Sequence, residues 1–454
     1  MSGDLPKGWI SVPLKTLLQS NSRKNIGLDD NTVIGFTLPS HFPTTYLSQI
    51  KFEEKQWKQV KGGHSTHFMD GDILLAKMTP SFENGSSGIA RNLPNGHGAS
   101  KTEYHVFRPK TEIINPCYLL ALLKTKKFLG DGKMRMTGSL GRMRVPKNYI
   151  LERKFPLPPR KEQDQIVNKL NVILESVEHC KSKLVKAETI LKLFRQSTIN
   201  AAISGKLTED WRKKNGLTFN WTSSKLKEIT SKIGSGATPR GGKKSYKHSG
   251  IPLIRSKNIH FDGFKEKGLA FINDNQAAKI SNATVCCNDV LLNITGTIGR
   301  VTLAPVELEG GRVNDHVYII RLAQKAKPRF IFYFFASSKT QKLIDEVSYG
   351  TNQKIITKGI IEDFEIQLPT LEEQQEIVRR AESMFTFADL ASKKLTIARE
   401  HIDNIEASLL DKAVGGELVP QDTSDETASD LLERVSEKAQ PKPKSEYYRE
   451  LEWE

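Results

Sequence analysis

A reactive centre in this chain would have to be built from four cysteines, ten histidines and a scatter of acidic residues. Cys117, Cys180, Cys286 and Cys287 have no paired spacing suited to zinc or to a disulfide framework, and Cys180 reads as a small core residue. His64, His67, His97 and His105 show no HExxH or other ligand spacing, so they read as surface or hydrogen-bonded imidazoles. "NPCY" at 115–118 is one residue from the Asn-Pro-Pro-Tyr loop that holds an amino group for methyl transfer. No Gly-rich cofactor turn follows a strand, however, so its proline reads as a helix start. "GSGATPRGGKKS" at 234–245 lacks the Gly-Lys-Ser/Thr order of a phosphate-binding loop and reads as a flexible basic loop. Asp363 and Glu365 lack the following lysine that a metal-dependent nuclease needs. No catalytic set is assembled.

What the chain does contain is a duplication. "LPPRKEQDQIV" at 157–167 returns as "LPTLEEQQEIV" at 368–378, an offset of 211 residues. About fifty residues follow without a gap, from this phrase to "ISGKL" (203–207) and "VGGEL" (414–418). Trp9 and Leu14 match Trp221 and Leu226, Gly138-Ser139 matches Gly350-Thr351, and "GDILLAKMT" (71–79) resembles "NDVLLNITG" (288–296). Each half is therefore a variable stretch of about 150 residues followed by a better-kept segment.

The better-kept segment predicts a long helix. Ile166, Leu170, Ile173, Val177, Cys180, Leu184, Ala187, Leu191, Phe194, Thr198 and Ala201 alternate steps of four and three, a coiled-coil seam. The second copy repeats it from Ile377 to Leu409, and the chain stops each helix with Gly205 or Gly415-Gly416. Two related stripes in one chain predict mutual, antiparallel pairing over roughly 65 Å, with a lobe at either end. In the variable stretches "DILLAKM", "YHVFRP", "IPLIRS", "DVLLNIT" and "HVYIIRL" read as strands, and 115–129 and 327–344 each as one helix. The expected fold class is α+β: two mixed α/β lobes separated by two long helices forming an antiparallel coiled coil, with a pseudo-two-fold internal repeat. The expected boundaries are 1–156, 157–207, 208–367, 368–418, and a mobile tail at 419–454.

Charge points to the partner class. The formal net charge is +16, of which 1–159 carries +11 and 208–370 carries +10, whereas the two helical segments cancel and the tail is −5. Two basic lobes on a neutral spacer look like two phosphate-binding footprints. Base and phosphate contacts want Arg, Lys, Asn, Gln, Ser or Thr on loops. Candidates are Lys77, Thr79, Ser81, Asn84, Arg91 and Lys101 in the first lobe, and Arg240, Lys243, Lys244, Arg255, Ser256, Asn258, Thr295 and Arg300 in the second. Two glycine-led loops at matching places add Arg142 and Arg144, and Asn352, Gln353 and Lys354. "MSGDLPKGW" is no signal peptide and no run approaches a membrane span, so the expected location is cytoplasmic.

Two variable basic lobes, each followed by an "LP…EQ..IV" helix ending in "G.L", resemble the specificity subunit of a type I DNA restriction–modification enzyme. The resemblance runs over roughly residues 5–420, with Pro-Thr-Leu replacing Pro-Pro-Arg in the second copy. It implies a non-catalytic subunit with two target-recognition domains, each reading half of a bipartite duplex DNA site. It implies helices that set the spacer and dock two methyltransferase subunits, which restriction motor–nuclease subunits join. S-adenosylmethionine, ATP and magnesium would then belong to the partners, and no metal to this chain. From the residues alone two alternatives stay open: a methyltransferase or nuclease with its own active site, and a basic nucleic-acid-binding adaptor.

Overall fold

A computed structural model describes residues 5–19, 27–61, 65–100, 104–139, 141–350 and 354–439. The chain divides into two compact units, one made of residues 1–184 with 397–454 and the other of 185–396. Two long helices, α1 (Arg160–Ile203) and α2 (Leu371–Gly415), each contribute one half to either unit.

In the first unit the strand Ile10–Pro13 pairs antiparallel with Lys154–Leu157, which leads straight into α1. The lobe between them holds two sheets. One is ordered Glu53–Gln56, Val33–Thr37, His97–Ser100, Thr66–Met69, its middle pair parallel; the other is ordered Ser87–Ile89, Ile73–Ala76, Tyr104–Phe107. The second unit repeats this plan. Thr222–Lys225 pairs with Glu365–Leu368, and Ile251–Ile254 pairs parallel with Arg312–Val313 and antiparallel with Ala270–Ile272. Val290–Asn293 lies between Val301–Leu303 and Val317–Leu322, and Thr230–Ser235 extends that sheet. All five runs expected as strands are strands.

A buried carboxylate explains the repeated "GD/ND" before each central strand. Asp72 accepts the Met69 N–H at 2.8 Å and pairs bidentately with Arg108 at 2.7 Å, across to the neighbouring strand. Asp289 does the same with the Cys286 N–H and Arg321. In both lobes the expected single helix is two. Pro116–Lys124 and Lys126–Met134 meet at Thr125, and Pro328–Ala336 and Ser338–Val347 meet at Ser337. Each of these residues is extended, and its hydroxyl accepts from the N–H three residues on, starting a new helix where apolar spacing alone predicts continuation.

Within each unit the α1 and α2 segments run antiparallel. In the first, Lys181 lies 3.9 Å from Glu406, and Leu170 and Leu174 share a core with Leu410 and Val414. In the second, Arg195 meets Asp389 at 2.5 Å, Phe194 packs edge-on against Phe387, and Thr198 lies against the Met384 sulfur. Ile166, Leu170, Val177 and Thr198 of the seam are buried, as are Ile377, Ala381 and Ala388. Cys180 corrects the expectation of a core residue: it is exposed, because the apolar core that covers Ile166 to Leu174 does not reach it.

The tail is a second correction. Part of it is packed: helix α3 (Ala428–Ala439) buries Ala428 in the first lobe's core with Leu432 and Val435 against it, Leu431 is buried too, and the Ala428 N–H donates to the Gly8 carbonyl at 3.0 Å. Lys161 at the start of α1 holds Asp425 at 2.8 Å. The amphipathic spacing of Leu431, Leu432 and Val435 is what outweighs the polar composition. Residues 440–454 lie outside the described part.

Two outcomes follow for stability. Leu431→Ala should cost about 2–3 kcal/mol and lower the first unit's thermal midpoint by several degrees; an unchanged midpoint would mean that α3 does not dock. His67, whose Nε2 lies 3.2 Å from His97 Nδ1, is pushed down to about 4 by burial and then by the His97 charge. Below about pH 6.5 the unfolded chain takes up a proton that the folded imidazole refuses, so stability should fall as pH drops from there toward 4. Melting curves of His67→Gln should show a shallower acid slope than the parent chain.

Candidate nucleic-acid interface

The repeated Glu-Gln of the two helix starts fixes each lobe to its helix. Trp9 Nε1 donates to Glu162 at 2.9 Å, and Trp221 Nε1 donates to Glu373 at 3.1 Å. Gln163 is wholly buried; its carboxamide oxygen accepts the Asn115 N–H at 2.7 Å, and its nitrogen donates to the Pro158 and Ile113 carbonyls. Gln374 accepts the Lys327 N–H at 2.8 Å and donates to the Pro369 carbonyl. Each glutamine thus holds the start of the lobe's buried helix against the first turn of the long one. The second partner of each glutamate comes from beyond a long-helix end. Arg212, after α1, pairs with Glu373, which also accepts from Thr208; Gln421, after α2, donates to Glu162 at 3.3 Å. Burial pushes the Glu162 carboxyl up, against the lowering effect of its Trp9 and Gln421 bonds.

On this frame each lobe presents one loop edge built the same way. The chain leaving the central strand Ile73–Ala76 is bonded to the glycine-led loop that starts at Gly138. The Val145 N–H donates to the Lys77 carbonyl at 2.9 Å, and the Thr79 N–H to the Met143 carbonyl at 3.1 Å; Arg144 bridges both Met78 and Thr137. In the second lobe the chain leaving Val290–Asn293 meets the loop led by Gly350. Ile355 bridges Thr295 and Tyr349, and the Ile356 N–H donates to the Ile294 carbonyl. Gly138 and Gly350 hold φ of +127° and +121°, a region open to glycine, which accounts for glycine at both places.

The expected contact residues divide on this geometry. Lys77, Thr79, Arg142 and Arg144 come together at the first lobe's edge, with Ser81 half-buried and Asn84 exposed on the connection that follows. Thr79 is partly spent on Glu83, to which its hydroxyl donates at 2.6 Å. Arg91 is elsewhere: it lies beyond Ile89, at the end of the sheet opposite Lys77, and donates to the Cys117 sulfur. In the second lobe Lys354 is exposed and Arg300 half-buried, while the Ser256 carbonyl accepts from Asn293 at the strand end. Arg240, Lys243 and Lys244 are exposed on the turn at 239–245. Asn258 and Thr295 are corrected. Asn258 is fully buried, its amide spent on the Arg255 N–H and the Lys265 carbonyl, so it shapes a turn and reaches no ligand; Thr295 is buried at its bridge. Lys101, Asn352 and Gln353 lie outside the described residues. Among the described residues, Arg142, Arg240, Lys243, Lys244, Arg255, Arg300 and Lys354 have no ion-pair partner, unlike Arg195, Arg329 and Arg380 on or beside the long helices.

Sequence reading missed two sets of residues. The Trp–Glu and Gln bonds were visible as repeated letters with no stated partner, and Lys257 was passed over between the chosen Ser256 and Asn258. Among the described residues no group of three or more His, Cys, Asp or Glu could hold a metal ion, and no helix is long and apolar enough to cross a membrane.

Residues 219–397 match the family model for the type I restriction modification DNA specificity domain. Over 460 residues the chain is 24% identical to the type I restriction enzyme EcoKI specificity subunit of Escherichia coli strain K12, covering 96% of each protein. The family model covers residues 219–397, and the curated relatives that this chain resembles are type I specificity subunits. It is also 34% identical over 218 residues to the EcoAI specificity subunit of Escherichia coli, covering 48% of this chain and 36% of that protein. The alignments to the EcoAI and EcoEI specificity subunits thus span about a third of those proteins, 36% and 35%. The fold matches a chain solved in a study of complex assembly and conformational transition of the type I R-M system, with a TM-score of 0.72 at 20% identity, over 91% of this chain and 100% of that one. It also matches the HsdS subunit from Thermoanaerobacter tengcongensis, with a TM-score of 0.61 at 18% identity, over 92% and 99%.

The helix-start frame is open to a direct stability test. Gln374→Ala, at a fully buried side chain, leaves the Lys327 N–H without its acceptor and should cost about 1–3 kcal/mol in urea unfolding of the second unit. Gln375→Ala, exposed one residue on, should stay within about 0.5 kcal/mol. Equal effects from the two variants would refute the clamp.

Proposed function

We propose that this chain is the non-catalytic DNA-reading subunit of a type I restriction–modification complex, each lobe recognising one half of a bipartite duplex site. The observation that carries this reading is the repeated edge. In both lobes a glycine-led loop is hydrogen-bonded to the exit of the central strand, and it carries a cation with no carboxylate partner among the described residues, Arg142 in the first and Lys354 in the second. Unpaired Arg and Lys on loops are the groups that neutralise phosphates and donate to purine edges in the major groove. A built edge occurring twice, on lobes whose loop sequences differ, is what reading two unlike half-sites requires.

The helices supply the constant part. Their antiparallel pairing supports a role as the spacer between half-sites, with centres about one DNA turn, roughly 10 bp, apart. Val172, Ile190 and Leu193 on α1, and Phe387, Leu390 and Ile397 on α2, are exposed apolar side chains. Such residues mark an interaction surface, which this reading assigns to two methyltransferase subunits, with restriction motor–nuclease subunits joining that core. S-adenosylmethionine, ATP and magnesium are then bound by those partners, and the complex works on DNA in the cytoplasm.

Exchanging residues 1–150 for a different first lobe tests the reading. With the methyltransferase subunits present, mapping methylated adenines should show one half-site replaced, and the other half-site and the spacer retained. A change in both halves together would overturn independent reading. Methyl transfer by the isolated chain would overturn the non-catalytic role.

A further inference from the structure

The second lobe carries a cationic cluster that the repeat does not build in the first. The strand Ile251–Ile254 runs into the short turn Ser256–Asn258, and the Arg255 guanidinium lies over the Tyr246 ring at 4.9 Å. Arg255 donates through Nη2 to the Gly268 carbonyl at 2.6 Å, while its buried Nε has no partner among the described residues. Lys257 Nζ stands 2.2 Å from the place a β-carbon on Gly268 would occupy, so both cationic groups converge on one stretch of glycine backbone, whose φ is +72°. Partial desolvation, then the Arg255 charge, then the Lys243 charge push the Lys257 pKa down. Neither Arg255 nor Lys257 is ion-paired among the described residues.

Like charges gathered without a counter-ion raise the free energy of the free chain and are relieved by an anion. The first lobe has no such need. At the offset of 217 that aligns the central strands, Arg255 and Lys257 correspond to Leu38 and Ser40, although the turn itself is kept, with the Leu38 N–H donating to His41 where the Arg255 N–H donates to Asn258.

We propose that Arg255 and Lys257 form a phosphate clamp that holds the DNA backbone against the second lobe and contributes affinity without base selection. The clamp rests on the DNA-reading function proposed above. A phosphate oxyanion fits because the donors are directional guanidinium and ammonium groups around exposed glycine backbone, with no acceptor side chain among them to read a base edge.

The test uses the full chain and a mixed-sequence duplex, titrated at several salt concentrations. Lys257→Gln is the first variant, because Lys257 is exposed and makes no packing contact that Arg255 makes with Tyr246. Its slope of log affinity against log salt should be shallower than the parent's by about one, so the parent loses about 4-fold more affinity between 50 and 200 mM salt. Lys257→Arg should restore the parent slope, and the half-site selected by the assembled complex should be the same for all three chains. An unchanged slope for Lys257→Gln, with the parent binding DNA, overturns the clamp alone. A changed second half-site overturns it in favour of base reading. Absence of duplex binding by the parent chain overturns the DNA-reading function and the clamp with it. Calorimetric titration of inorganic phosphate is the second arm: saturable binding lost in Lys257→Gln, with an unchanged DNA slope, would assign the cluster to a free anion and refute a backbone clamp.

Discussion

A buried carboxylate beside a buried carboxamide, in the first turn of each long helix, is the constraint on which the rest of the architecture depends. The carboxylate takes the indole N–H of a tryptophan from the lobe's opening residues, and the carboxamide takes the N–H of the residue that caps the lobe's buried helix, Asn115 or Lys327. One end of the lobe's chain and its core helix are therefore tied to a single helical turn. A carboxylate there also faces the positive end of the helix dipole, which offsets part of the cost of burying it. Glutamine suits the neighbouring position because it presents both an acceptor and a donor. A glutamate there would leave the Pro158 or Pro369 carbonyl without a partner.

That arrangement separates what is able to vary from what is not. Inside the frame the two lobes keep only the devices that build the edge: the aspartate before the central strand with its arginine partner, the hydroxyl residue that breaks the helix in two, and the glycine of the docking loop. Loop residues around these devices differ freely, since none of them holds the frame. Leu38 against Arg255 is one such difference, on the same turn with the same backbone bond.

The parts legible in the sequence were those with a period or a repeat. The helix stripe, the strands bounded by turn residues and the matching glycine-led loops all leave a pattern in letters, and the fold bears them out. Boundaries and contacts that depend on three-dimensional partners were hidden. Thr125 and Ser337 stop one helix and start another through a single hydroxyl, inside apolar runs that continue on either side. Asn258 is chemically a good reader of adenine, yet its amide is fully used by its own turn. Residues 419–439 have the composition of a mobile segment, and it is the first lobe's core that gives Ala428, Leu432 and Val435 somewhere to pack.

The way the clamps are completed shows how one chain is able to imitate two. Glu373 is completed by Arg212, which follows the end of α1, and Glu162 by Gln421, which follows the end of α2. Each helix end therefore serves the unit that contains the other helix's start. Had each clamp been completed from its own copy of the repeat, the two copies would be separable domains joined by a linker. Because each is completed by the other copy's outgoing chain, neither unit is finished without residues from both halves of the sequence. The partners differ in strength as well. Arg212 brings a buried positive charge to Glu373, whereas Gln421 brings Glu162 only a dipole. The second junction lies inside the continuous run from α1 into the second lobe, while the first depends on chain returning from α2. That returning chain is the stretch in which Lys161–Asp425 and the docked helix α3 add further attachments to the first lobe. A weaker closing bond is thus supported by a longer packed segment, so the tail belongs to the frame of the molecule and not to its periphery.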